Sequence, residues 1–445
     1  MKINNIQIKN FRGYEDLNVD FKSNFNLIIG DNGSGKTAIL EALTIAMGSF
    51  FLGIRNVETK GISPEDIRIA TFEFSEEYQF PVEIITKGEI NNTQLVWERT
   101  LNGLKNRTTS VNAKSIKDYA EMLDKSISIG KNIALPLLEY YATGRFFQEG
   151  YEKVKTESKD EKRKTIPSRF RAYDRCLEAI STHRKFQKWF RDKEISKIQK
   201  RNDDISLSLV QEVVINNLPN CKNFYFEFDP DKPQGLKVEF NDGRVLPFQN
   251  LSDGTRNFFA LLSDIAYKAI TLNPHLKENV LKETEGIVLI DELDLHLHPE
   301  WQKRIVESLK NTFPKIQFIC TTHSPFIIQA SEPNELLIIK NNNIQEYNSG
   351  VNLSIEDIAE LHQKVENPQW SKKRQALYQL APQYYEAIRN NTLTNELKEA
   401  FEKAVKPFTM DTAFFSVIKE EEILAEYLKN KNENNITNKI PTLDK

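Results

Sequence analysis

The chain has 445 residues, 39% of them apolar and 28% charged, with a net charge of −3. That is enough for one large α/β domain with a helical attachment, and the charge balance excludes nucleic-acid binding through overall basicity while leaving a local basic patch open. Three widely spaced cysteines, Cys176, Cys221 and Cys320, exclude a disulfide framework or a cysteine metal cluster and point to a reducing compartment. The first residues alternate polar and apolar and lack the apolar core of a signal peptide. No run approaches the ~20 apolar residues that span a bilayer, so the expectation is a cytoplasmic protein without membrane contact.

In chain order, residues 1–29 predict two or three short strands. Ile3, Ile6 and Ile8, then Leu17, Val19 and Phe21, alternate with polar residues, and the apolar run 25–29 is interrupted only by Asn26. A glycine-rich turn at 30–35 leads into a helical pattern over 36–48, where Ile39, Leu40, Leu43, Ala46 and Met47 share a face. Residues 67–100 read as strands with a hairpin at 88–92, 113–128 as a helix, and 134–141 as a buried strand or its approach. The Lys- and Glu-rich stretch 149–164 predicts a mobile surface segment. Helices are expected over 170–200, anchored by Phe186, Trp189 and Phe190, and over 203–217, then strands over 223–229 and 235–240 with a turn at Asn241-Asp242-Gly243. There follow a helix over 254–272, an apolar strand over 286–290, a helix over 299–312 opened by Pro299, a strand over 316–320 and a strand pair over 335–347. Beyond residue 352 the pattern is helical and polar, and the last fifteen residues are expected to fray. There is no internal repeat and no sustained heptad run.

The strongest local signal is Gly30-Asp31-Asn32-Gly33-Ser34-Gly35-Lys36-Thr37, which fits G-x-x-x-x-G-K-[ST] between a strand and a helix. Glycines let the backbone curl its N–H groups around phosphate oxygens, and the helix N-terminus adds favourable partial charge. The nucleotide-binding set on this loop is Asn32, Gly33, Gly35, Lys36, Thr37 and Ala38. Lys36 is expected to reach the β- and γ-phosphates and Thr37 to place its hydroxyl on Mg²⁺. A chance glycine-rich turn is the bland alternative, and the strand–turn–helix context disfavours it.

A second signal is Asp291-Glu292 at the end of the apolar strand 286–290, because two acids closing a buried strand are costly unless they serve a ligand. Asp291 would hold Mg²⁺ through water, and Glu292 would orient or deprotonate the attacking water. The strand 316–320 ends in Thr321-Thr322-His323-Ser324-Pro325, where His323 could contact the γ-phosphate or the water, or be structural. Before the helix at 254, Leu251-Ser252-Asp253-Gly254-Thr255-Arg256 offers a hydroxyl and free N–H groups. That is either a second anion site at Ser252 and Gly254 or an ordinary N-cap.

Taken in order, these features resemble the ATP-binding heads of ABC-type ATPases, in particular the SMC, RecF and OLD-type group. Asn10-Phe11-Arg12 matches that group's opening strand, followed by a Walker A loop, a serine–glycine signature, a Walker B strand with glutamate, a D-loop over 293–299 and a switch histidine, spanning residues 1–345. The resemblance implies an α/β P-loop NTPase of the ABC-ATPase, SMC-head-like kind, with ATP and Mg²⁺ as ligands and a homodimer or higher even-numbered assembly. It further implies that Ser252 and Gly254 complete the partner subunit's site and that Arg12 contacts nucleotide. By the same resemblance Gln148 is the candidate Q-loop contact to Mg²⁺ or water, with Arg145 as an alternative polar contact near the phosphates. The signature departs from the common form by carrying Asp253, and the D-loop carries His298 where transporters have aspartate. Asp294, His296 and His298 could also bind a metal, but a loop packing across the dimer fits better.

The absence of heptads and of a C-x-x-C hook sets this chain apart from long SMC-type tethers. The tail 352–445 shows no strand ending in paired acids, unlike an OLD-type nuclease domain. Gly61-Ile62-Ser63-Pro64-Glu65-Asp66-Ile67-Arg68 and Tyr141-Ala142-Thr143-Gly144-Arg145 resemble the "ATP-binding protein involved in virulence" group and the PtuA-like ATPases of Septu and retron antiphage systems. This implies a regulatory ATPase working with a separate HNH nuclease docked on the C-terminal helices, with Phe401, Phe408, Phe414 and Phe415 either as anchors or as ordinary helical core. The alternative is a RecF-like DNA repair ATPase using the basic segment Lys162, Arg163, Lys164, Arg169, Arg171 and Arg175. The expected organisation is an N-terminal ATPase lobe over 1–150, a helical insertion over 151–222, a C-terminal lobe over 223–350 with the signature, Walker B, D-loop and histidine, and a helical partner-binding tail over 351–445.

Overall fold

A computed structural model describes residues 1–144, 168–178, 183–201, 204–340, 342–346, 353–361 and 365–437. The chain opens on β1 (Lys2–Phe11), β2 (Tyr14–Asp20) and β3 (Phe25–Ile29), then α1 (Lys36–Phe51). Two hairpins follow, β4 (Ile69–Phe72) with β5 (Ser75–Tyr78) and β6 (Val82–Ile90) with β7 (Thr93–Leu101), then α2 (Lys114–Ser128) and β8 (Leu137–Tyr141). Next come α3 (His183–Lys200), α4 (Ile205–Asn217) and the meander β9 (Cys221–Glu227), β10 (Gly235–Phe240) and β11 (Val245–Pro247). The elements α5 (Asp253–Leu272), α6 (Val280–Glu283), β12 (Gly286–Ile290), α7 (Pro299–Thr312), β13 (Ile316–Thr321) and α8 (Pro325–Ala330) lead to the hairpin β14 (Leu336–Lys340) and β15 (Asn343–Glu346). The last helices are α9 (Ile355–Leu361), α10 (Lys372–Arg389), α11 (Asn395–Val405) and α12 (Thr412–Thr437). The chain divides into two compact units, Met1–Ile358 and Ala359–Lys445.

The centre of the first unit is a six-stranded sheet in the order β15-β14-β3-β13-β12-β8, parallel except for β15. Every residue of β3, β8, β12 and β13 is buried, which is why these strands read as nearly continuous apolar runs rather than alternating ones. Two polar residues inside these strands are fully used. Asn26 donates to the Lys22 carbonyl (2.9 Å) and accepts from its N–H (2.7 Å), closing the turn into β3. Gln317 on β13 exchanges hydrogen bonds of 2.8 and 2.7 Å with the backbone of Ile3 and so ties β1 to the sheet.

An antiparallel sheet, β2-β1-β6-β7, covers α1, and Trp97 donates from its indole to the Ala46 carbonyl at 3.0 Å. Strict alternation does not account for Ile3 and Ile6 both being buried. The register shift between Ile3 and Asn5 inserts one residue and returns both to the core face. The hairpin between β6 and β7 turns on Asn91 and Asn92, both in the left-handed region (φ 47° and 62°), as a two-residue turn of this hand requires.

Three expectations change. Residues 69–78 form a separate hairpin whose strands are largely exposed, rather than part of the larger sheet. The helix expected over 170–200 begins only at His183. Residues 169–173 form a short 3-10 turn, and the Cys176 carbonyl accepts from Tyr140 N (2.8 Å), so this stretch closes the edge of β8. At the C-terminus the helix continues to Thr437, where fraying was expected from 431.

In the second unit, Phe401 stacks on Tyr384 with ring centroids 3.9 Å apart and is buried with Leu377, Ile388, Val405, Ile418 and Ala425. Phe408, Phe414 and Phe415 pack against the same cluster. These four phenylalanines hold the helical unit together rather than stand out as anchors. No helix among the described residues is long and apolar enough to cross a membrane.

Candidate functional site

Because β8, β12, β13 and β3 run parallel side by side, their C-terminal ends open on one edge, where α/β sheets bind ligands. The loop 30–35 leaves β3 there. Gly33 and Gly35 take φ of 78° and 92°, and a Cβ on Gly35 would overlap the Tyr14 hydroxyl. That hydroxyl donates to the Ser34 carbonyl at 2.8 Å and buttresses the loop from below. Tyr14 escaped sequence reasoning, since a tyrosine at the start of a hairpin strand carries no signal of its own. Burial pushes its phenol up to about 12, so it stays a donor.

Lys36, 7% exposed, donates to the carbonyls of Gly30 (2.9 Å) and Asp31 (3.0 Å), which hold its ammonium over the loop. Burial lowers its pKa, opposed by Asp291, Asp31, Glu292 and Asp294. Thr37 donates to Asp291 Oδ2 (2.9 Å), and Thr321 at the end of β13 donates to Asp291 Oδ1 (2.6 Å). Asp291 N donates to the Tyr141 carbonyl (2.8 Å). Asp291 thus joins α1 and β13 through its carboxylate and β8 through its backbone N–H. The structure therefore brings Asp291 to the neighbouring pair Lys36 and Thr37, 254 residues from Thr37 in the chain.

Glu292 sits at φ 50°, in the left-handed region, with its N–H donating to Thr321 Oγ1 at 2.8 Å. Residues rarely hold this backbone without a surrounding constraint, and such outliers cluster at functional sites. Asp294 accepts from the Thr322 hydroxyl and from His323 N (3.2 Å), which fixes the start of the His323 loop. Burial first and Lys36 second lower the His323 pKa, while Asp294, Glu292 and Asp291 oppose them; the imidazole shares the electrostatic field of the Lys36–Asp291–Glu292 group. The sequence offers Asp294 as part of a D-loop packing across a dimer or as a metal ligand, not as a support for His323. In the fold it positions His323, and His298 caps α7 by accepting from Glu300 N (3.3 Å).

Ser252 is the N-cap of α5, its hydroxyl 2.8 Å from that of Thr255, and the residue is exposed. Asp253 pairs with Arg256. Gly254 is buried against the loop after β12, where a Cβ would overlap the His296 carbonyl, and Asn257 donates to the Leu295 carbonyl at 2.7 Å. Close packing alone thus requires a glycine at 254, whatever the residue does for a ligand. Gly254→Ala is expected to destabilise the chain by about 1–3 kcal/mol by overpacking. Denaturant unfolding checks this, and an unchanged midpoint would refute the close contact.

Other expected site residues fall elsewhere. Arg12, also at positive φ (49°), pairs with Asp66 through Nε (2.9 Å) and Nη2 (2.8 Å), so the segment 61–68 serves to hold this arginine. Asn32 and Gly33 lie exposed on the loop and Ala38 is buried in the first turn of α1. Gln148 and Arg145 lie outside the described residues, as do Lys162, Arg163, Lys164 and the stretch 149–164. Of the basic segment, Arg169 is tied down by the carbonyls of Leu272 (2.5 Å) and Ile133 (2.7 Å). Arg175 pairs with Glu178 at 3.4 Å.

A strand, phosphate loop and helix at the C-terminal edge of a buried parallel sheet, faced by an acid from the end of the next strand but one, define a P-loop NTPase of the α/β class. Residues 25–329 match the family model described as "AAA domain, putative AbiEii toxin, Type IV TA system". The chain belongs to this AAA family and is an ATPase. It is 27% identical over 407 residues to "Retron Ec83 probable ATPase" of Escherichia coli, covering 77% of this chain and 72% of the relative. It is 27% identical over 351 residues to "Septu protein PtuA" of Bacillus thuringiensis, covering 76% and 75%. Among solved structures, the SMC head bound to the C-winged helix domain of ScpA aligns over 78% of this chain and 96% of its own, at 18% identity and a TM-score of 0.45.

Proposed function

We propose that two copies of this chain clamp two ATP molecules between them and hydrolyse them, and that this cycle controls a separate HNH-type nuclease in antiphage defence. The observation that carries the hydrolytic half is the Asp291 carboxylate shared by Thr37 and Thr321 beside Lys36 and Glu292. ATP fits the loop because its glycines leave the backbone open to phosphate and the Lys36 ammonium stands at its mouth. Mg²⁺ fits the Thr37 hydroxyl and Asp291 carboxylate, two hard oxygen donors held 2.9 Å apart. When bound, the ion neutralises charge on the β- and γ-phosphate oxygens.

The chain's own groups supply the rest. Lys36 binds the phosphates and Asn32, Gly33, Gly35 and Ala38 line the cradle. Glu292 orients the attacking water and takes its proton, and His323, held by Asp294, faces the γ-phosphate. Arg12, braced by Asp66, remains the nucleotide contact that the family resemblance suggests. Ser252 and Gly254, at the start of a 20-residue helix, meet the γ-phosphate held by the partner. The lobes proposed are 1–150 and 223–350 around the insertion 151–222, with 351–445 as the nuclease-docking tail.

The names of the relatives support the defence role: a retron ATPase and a Septu protein. Ser252→Arg puts bulk and charge at the proposed subunit contact, on the exposed start of α5 rather than on the phosphate loop. Turnover of the parental chain is expected to rise with protein concentration. The variant should lose that dependence and at least about tenfold in kcat, while still binding a fluorescent ATP analogue. Equal turnover in both would sink the two-subunit reading. Co-expression with neighbouring gene products, with and without ATP, tests the nuclease: capture of no HNH protein in either state would remove that half.

A further inference from the structure

The core of the first unit holds an ion group that the chemistry above does not use. Lys268 and Asp264 lie one turn apart on α5, and Glu139 lies on β8; all three are 1–3% exposed. The Lys268 ammonium is 2.5 Å from Glu139 Oε2 and 2.9 Å from Asp264 Oδ2. Tyr141, two residues along β8, donates its hydroxyl to Asp264 Oδ2 at 2.7 Å. With two acids for one ammonium, burial pushes Glu139 up to about 8 despite the pull of Lys268.

Such a group is a poor way to gain stability, because apolar side chains of the same volume would join the helix to the strand at lower desolvation cost. What ions and a directed hydroxyl supply is register: α5 can neither slide nor rotate on β8 without breaking them. Both ends of this fixed arrangement lead to the nucleotide machinery. Towards its N-terminus, α5 is held to the loop after Glu292 by Gly254 against His296 and by Asn257 on the Leu295 carbonyl, and it starts at Ser252. On the other side, the Tyr141 carbonyl accepts from Asp291 N at 2.8 Å. From Ser252 to Asp264 the helix runs roughly 18 Å as one rigid element.

We propose that Lys268, together with Glu139, Asp264 and Tyr141, is a positioning group that locks α5 to β8, so that engagement of Ser252 by the partner's nucleotide is transmitted to Asp291 and Glu292 of the same chain. This rests on the two-subunit reading above. The group touches neither substrate nor metal; it sets how the helix start stands relative to the water-activating end of β12.

Tyr141→Phe removes one hydroxyl and keeps the ring; Lys268→Met removes the ammonium and keeps most of the stem. In the full chain, both are expected to bind a fluorescent ATP analogue within about twofold of the parent. Their kcat should be lower, by roughly tenfold or more for Lys268→Met and by several-fold for Tyr141→Phe. A merely structural role would instead lower affinity, thermal midpoint and kcat together. If Lys268→Met does not fold, Tyr141→Phe decides alone. Parental kcat in every folded variant, with parental turnover still rising with protein concentration, overturns this proposal and leaves the two-subunit reading standing. Parental turnover that ignores protein concentration removes that reading, and this proposal with it.

Discussion

Glu292→Gln is expected to hydrolyse ATP about 10²–10⁴-fold more slowly than the parent while binding it as well, since the change removes only a group that takes a proton in the transition state. The side chains are nearly equal in size, and the residue keeps its left-handed backbone, held through the bond from its N–H to Thr321 Oγ1. Folding should therefore be unaffected. In the two-subunit reading, slow hydrolysis prolongs the closed state, so with ATP and Mg²⁺ the variant should elute as a dimer where the parent elutes mainly as a monomer. Phosphate release at the parental rate would show that the water is activated by another group. Loss of nucleotide binding would show that Glu292 acts on the ground state instead.

Lys36→Ala is expected to weaken ATP binding by about 1.5–3 kcal/mol, the cost of losing a hydrogen bond made by a charged donor, which is roughly 10–150-fold in affinity. The two loop carbonyls that now accept from its ammonium, those of Gly30 and Asp31, would turn to solvent at the loop surface. The thermal midpoint without nucleotide should move little. What should vanish is the rise in midpoint on adding ATP, because ligand stabilisation follows affinity. A variant still stabilised by ATP to the parental extent would place the phosphates away from this loop.

The helix over 254–272, the strands 286–290 and 316–320 and the phosphate loop were legible because each carries its signal locally, in a continuous apolar run, a glycine pattern or a cap. Residues 170–178 were not, because the aromatic spacing that suggests a helix competes with the demand of the β8 edge for a backbone partner, met by the Cys176 carbonyl. The exposed hairpin 69–78 was unreadable for a related reason. Strand periodicity states that a segment is extended, and sheet membership depends on which edge it meets. In the site, Tyr14, Asp66 and Asp294 were missed as supports for Ser34, Arg12 and His323, because side chains that act through another residue carry no motif.

The sequence by itself determined the chemistry available: a glycine-rich loop with Lys36 and Thr37 after one apolar strand, Asp291-Glu292 after a second and His323 after a third. Only the tertiary structure decided that these ends meet. The parallel order β3-β13-β12-β8 sets residues some 250 positions apart around one carboxylate, as the Thr37–Asp291 hydrogen bond spans 254 residues. It also decided that Gly254 must be glycine, since the carbonyl that forbids a side chain there comes from a loop 42 residues away in the chain, from 254 to 296. Apolar patterning can specify which face of a strand is buried, but the hydrogen bonds between strands carry no sequence label. Which strand lies beside which is settled only when all faces are covered at once.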